Sequence, residues 1–98
     1  MIKQTLYCVR DSKAEHFLPP FASQNDQTAI RQFADAVSST GHEFQRNAPD
    51  FSLWTVGAFN LATGVIESTP PTPLIQATDI QNNHPTQPAT PTLISDAG

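Results

Sequence analysis

Asn25-Asp26-Gln27-Thr28-Ala29-Ile30-Arg31-Gln32-Phe33-Ala34-Asp35-Ala36-Val37-Ser38-Ser39-Thr40-Gly41 is the stretch that decides the fold. Ala29, Ile30, Phe33, Ala34 and Val37 recur at spacings of three and four, so a helix over about Gln27 to Ser38 carries one apolar stripe opposite Gln27, Arg31, Gln32 and Asp35. Asn25 or Asp26 supplies the N-cap, because a short side-chain oxygen satisfies amides that the first turn leaves free. Gly41 is placed to end the helix after Ser-Ser-Thr. A helix with one apolar stripe is stable only when that stripe lies on something else.

The surface it needs is a sheet, and strands flank it. Upstream, Ile2 to Arg10 reads as a strand, with Leu6 and Cys8 on one face and Tyr7 and Val9 on the other, closed by Asp11-Ser12. Ser12 and Glu15 have capping-box spacing for a single helical turn. Pro19 and Pro20 stop anything longer, which leaves Phe17, Leu18 and Phe21 as a short extended piece suited only to a sheet edge. Downstream, Phe51 to Asn60 is strongly β-favouring. Asn60-Leu61-Ala62-Thr63-Gly64 forms a hairpin loop, with Gly64 at positive φ, before a return strand that begins at Val65-Ile66. The expected fold is therefore α+β: a small antiparallel or mixed sheet of three to four strands with one helix on a face. The expected core is Leu6, Cys8, Ile30, Phe33, Val37, Trp54 and Phe59, with Trp54 or Phe59 meeting Phe33.

Beyond Glu67 the composition changes. All eight aromatic residues fall between Tyr7 and Phe59, whereas six of the nine prolines lie from Pro70 onward. A chain of 98 residues with 38% hydrophobic content is apolar-poor against the usual 45 to 50% or so. The expected organisation is one domain over 1–68, an extended arm docked over 69–82, and a tail over 83–98 with too little apolar surface to offset its ordering entropy. Pro70-Pro71-Thr72-Pro73 matches PxxP formally, and a spacer is the simpler reading.

The chemistry is bounded by what is missing. His16, His42 and His84 are scattered, so no metal-ligand spacing arises. Cys8 has no nearby His to activate it and no second cysteine to pair with. The glycines are isolated, which excludes a P-loop. Neither an enzyme nor a cofactor is expected. No segment has the roughly 18 consecutive apolar residues of a membrane span, so a cytosolic setting is expected. The net charge of −4 argues against strong non-specific nucleic-acid binding. All five cations, Lys3, Arg10, Lys13, Arg31 and Arg46, nevertheless share the half that holds Tyr7, Phe17 and Phe21. A modest basic and aromatic face is one reading, and a solvated rim beside Asp11, Glu15 and Asp35 is the other.

Several spaced blocks carry a family resemblance. Leu6-Tyr7-Cys8-Val9-Arg10-Asp11-Ser12-Lys13-Ala14-Glu15, Phe17-Leu18-Pro19-Pro20-Phe21, Ala29-Ile30-Arg31-Gln32-Phe33 and Asp35-Ala36-Val37 come first. Pro49-Asp50-Phe51-Ser52-Leu53, Gly57-Ala58-Phe59-Asn60 and Thr63-Gly64 follow in order. Over roughly residues 5 to 75 the chain resembles the small nonstructural protein of gokushovirus-type single-stranded DNA phages in the Microviridae. The Thr-Pro tail after Ile80 departs from that pattern. The resemblance implies a protein absent from the virion, acting in the host cytoplasm and assisting viral DNA replication or single-stranded genome synthesis. It transfers no catalytic residue. The contact residues to test are Arg10, Lys13 and Arg31. The expected partners are single-stranded DNA, bound weakly, or viral and host replication proteins; self-association through a sheet edge is a further expectation.

Overall fold

A computed structural model describes residues 2–83 of the chain. It is an α+β fold whose sheet is antiparallel throughout the described residues, with helices packed on one face. The order is β1 (Lys3–Asp11), β2 (His16–Phe17), β3 (Phe21–Ser23), α1 (Asp26–Ser38), α2 (Glu43–Arg46), a 3-10 turn (Ala48–Asp50), β4 (Phe51–Asn60), β5 (Ile66–Gln76) and α3 (Ala77–Asn83). Across the sheet the strands run β2-β1-β4-β5, and β3 shares with β2 the outer edge of β1.

The turn after β1 is built differently from the expected capping box. Asp11 Oδ1 accepts from the amides of Lys13 and Ala14, and Glu15 closes the turn in the left-handed region at φ 62°. Leu18 donates its amide to Val9 beyond β2, after which Pro19 and Pro20 break the pairing until β3 resumes it. The short proline-containing piece is thus an edge.

Asn25 caps α1 by accepting from the Thr28 amide at 2.9 Å. The helix lays Ala29, Phe33 and Val37 on Tyr7, Val9, Phe51 and Leu53 of the sheet. Tyr7 is fully buried, and its hydroxyl donates to Asp26 Oδ1 at 2.7 Å, tying the first turn of α1 to the central strand. Phe33 does not meet Trp54 or Phe59 as expected. Its neighbour is Phe44 on α2, with ring centroids 5.7 Å apart, and Phe44 in turn meets Phe51 in a tilted contact at 4.5 Å. The polar stretch after Gly41 hid this short helix.

β4 explains the misplacement. Phe51 and Leu53 face α1, so Trp54 points away by simple alternation. Leu6 pairs with Gly57 while Tyr7 pairs with Thr55, which leaves Val56 as a bulge that moves Phe59 to the same side as Trp54. Leu6 and Cys8 face that side too, and Ile30 packs at the margin of the core.

The folded unit continues past residue 68. β5 pairs with β4 as far as Gln76, and α3 returns Ala77 and Ile80 to the core beneath α1. A proline-rich segment serves as a strand here for two reasons. It is the sheet edge, and its pairing with β4 shifts register around Pro70-Pro71 and again beside Pro73, where missing amide donors cost nothing. The expected spacer is a strand, and the expected arm is a strand and a helix of the domain itself. The tail expected over 83–98 lies outside the described residues apart from Asn83, which ends α3.

Candidate functional site

The helices pack on one face of the sheet; the other carries half-buried side chains, with Cys8 buried among them. The register defines this second face. Directly paired residues point the same way, so Leu6, Cys8 and Arg10 of β1 stand beside Gly57, Trp54 and Ser52 of β4, and Phe17 of β2 stands beside Arg10. At the far end Phe59 pairs with Ile66 of β5. Apart from Arg10, these positions are apolar, aromatic or small and uncharged, and none is a carboxylate.

Three side chains form a cluster at one end. The rings of Phe17 and Trp54 meet edge to face, with centroids 5.6 Å apart and planes at 85°. The Arg10 guanidinium lies 5.6 Å from the centre of the Phe17 ring. Trp54 is half-buried, and its Nε1 donates to Ser52 Oγ at 2.8 Å, which fixes the indole. Phe17 remains 38% exposed. Cys8, opposite Trp54, is only 6% exposed, and burial pushes its thiol above the ordinary cysteine range.

The three cations singled out in the sequence do not converge. Arg10 belongs to the cluster just described. Lys13 lines a cleft of about 260 Å³ together with Asp11, Glu43 and Asp50, where the carboxylates outnumber it. Arg31 is exposed on α1, two residues from buried Ala29 and Phe33, and so faces away from the sheet. Lys3 pairs with Glu67 at 3.2 Å, the one salt bridge among the described residues. Phe17 and Trp54 were missed as a pair. The signal was present as alternation: Arg10 shares parity with Leu6 and Cys8, and Trp54 opposes Phe51 and Leu53.

Other chemistry finds no assembled site in the described residues. No three His, Cys, Asp or Glu side chains come together to hold a metal. His16 is exposed on β2; His42 caps α2, its Nδ1 accepting from the Phe44 amide at 3.0 Å; His84 lies outside the described residues. An apolar hollow of about 250 Å³ between β3, α1 and α2 is lined by Val9, Phe21, Phe33, Ala36 and Phe44, with Gln32 at its polar margin. None of the described helices is long and apolar enough to cross a membrane.

A small antiparallel sheet, with helices on one side and the Phe17–Trp54 pair on the other, defines a small α+β scaffold. The family follows from comparison: the model of the Phage ORF5 protein family matches residues 4–80, from β1 through α3, and the chain belongs to that family of bacteriophage proteins. No curated protein and no solved structure matches it.

Proposed function

We propose that this phage protein is a nonstructural accessory protein of the Microviridae type. It assists viral DNA replication or single-stranded genome synthesis in the host cytoplasm by a weak contact with single-stranded DNA. The observation that carries the reading is the Arg10-Phe17-Trp54 cluster on a sheet face without carboxylates. Unpaired bases offer π faces to exposed aromatic rings, and a guanidinium beside the rings meets both phosphate and base. Duplex DNA presents no such free faces.

Affinity is modest for a stated reason. The net charge of −4 repels the backbone at long range, and one cation at the site releases few counterions. Anisotropy of a labelled single-stranded oligonucleotide across a salt series tests this. Binding is expected at low salt, with a log–log slope of roughly −0.7 for each phosphate neutralised. Arg10→Ala weakens it, while Arg31→Ala, on the far side of α1, leaves it unchanged. No binding at low salt, or equal losses from both substitutions, rejects the assignment.

A second reading, capture of a viral or host replication protein without DNA, is favoured by the same net charge. It predicts a flat oligonucleotide titration together with a partner recovered from infected cells whose binding is lost with Trp54→Ala.

A further inference from the structure

Among the described residues, four of the five most exposed large hydrophobic side chains gather at one end of the molecule. They are Ile2, Leu61, Val65 and Ile66, each more than half exposed. The backbone holds them together: the Leu61 amide donates to Ile2 O, and the Asn60 amide to Val65 O, closing the β4–β5 turn. Phe17, the fifth, lies beside Trp54 at the other end of the sheet.

We infer that this hairpin tip is a self-association surface through which two copies of the chain meet tip to tip, a property separate from the DNA reading. Charge points to a second copy. A chain of net −4 repels itself over most of its surface, yet no charged residue lies between Asp50 and Glu67. The charges bordering the tip are Lys3 and Glu67, already paired at 3.2 Å. In a two-fold contact each tip faces an identical tip, so apolar surface meets apolar surface, and the bordering Lys3 and Glu67, already paired, add no net charge to it. Area agrees. The four side chains expose on the order of 400 Å² per copy, in the range of the largest patch on a typical monomer. Two tips bury at most about 800 Å² in total, below the roughly 1,200 Å² of a stable interface, so the dimer is weak and concentration-dependent.

The sheet edges offer no better route. β2 and β3 cover the outer edge of β1, and the free edge of β5 carries Pro70, Pro71 and Pro73, which have no amide to donate.

Sedimentation equilibrium of the full chain over a wide concentration range tests the proposal, with Leu61→Asp and Val65→Asp as variants. Both positions are exposed loop sites, and circular dichroism of each variant checks that the fold is kept. The expected result is a mass that climbs from one chain toward two, with each substitution weakening association at least tenfold. A mass that stays at one chain up to millimolar concentration, or association untouched by both substitutions in folded variants, overturns it.

Discussion

Tyr7 joins the central strand to the first turn of α1 through one hydrogen bond, and its titration makes that bond measurable. Burial first, and then the bond to Asp26, raise its pKa from 10.0 to about 12. The folded state therefore holds the phenolic proton at a pH where the unfolded chain has lost it. Stability from this difference is complete below pH 10 and declines as pH rises through about 12. Two pH units correspond to about 2 to 3 kcal/mol at most. Urea unfolding from pH 9 to pH 12 should show this decline, and Tyr7→Phe should flatten it. Glu15 illustrates a local cost: a side chain at φ 62° sits where glycine is at ease. Glu15→Gly is expected to raise stability by up to ~1 kcal/mol in the same assay. At Gly57 the opposite holds. A Cβ there would overlap the Glu67 backbone carbonyl oxygen where β5 closes on the bulge of β4. Gly57→Ala should cost about 1 to 3 kcal/mol, seen as a lower urea midpoint.

At the scale of elements, β1, α1 and the β4–β5 hairpin are legible because their periodicity and turn residues agree. What escaped detection had physical causes. α2 is four residues long, and its one apolar residue, Phe44, gives no period. β5 contains three prolines, which argue against any strand except an edge whose irregular pairing absorbs them. α3 is a seven-residue helix that turns only Ala77 and Ile80 inward, too few to stand out after Thr-Pro repeats. The placement of Trp54 was readable, since strict alternation sets it against Phe51 and Leu53. That of Phe59 was not, because the Val56 bulge inverts the parity beyond it. If α3 belongs to the domain, Ile80→Ala should destabilise the whole unit by about 2 to 3 kcal/mol in one cooperative transition. A surface arm would show no change in the midpoint.

Taken whole, the molecule separates its surfaces. Helices and most carboxylates lie to one side, including the cleft of Asp11, Glu43 and Asp50. The aromatic cluster lies on the opposite face at one end of the sheet, and the neutral hairpin tip at the other. Two copies joined at their tips would present two aromatic clusters to one strand, so a weak site gains from a second. Trp54 is the only tryptophan in the chain and stands in the proposed contact, so its emission reports the contact without a label. Titrating the protein at low salt with single-stranded DNA and with duplex of the same length is the most direct test. The account predicts that single strands quench Trp54 emission saturably, that duplex does not, and that Phe17→Ala weakens the quenching. Emission unchanged by single-stranded DNA, or changed equally by duplex, would contradict it.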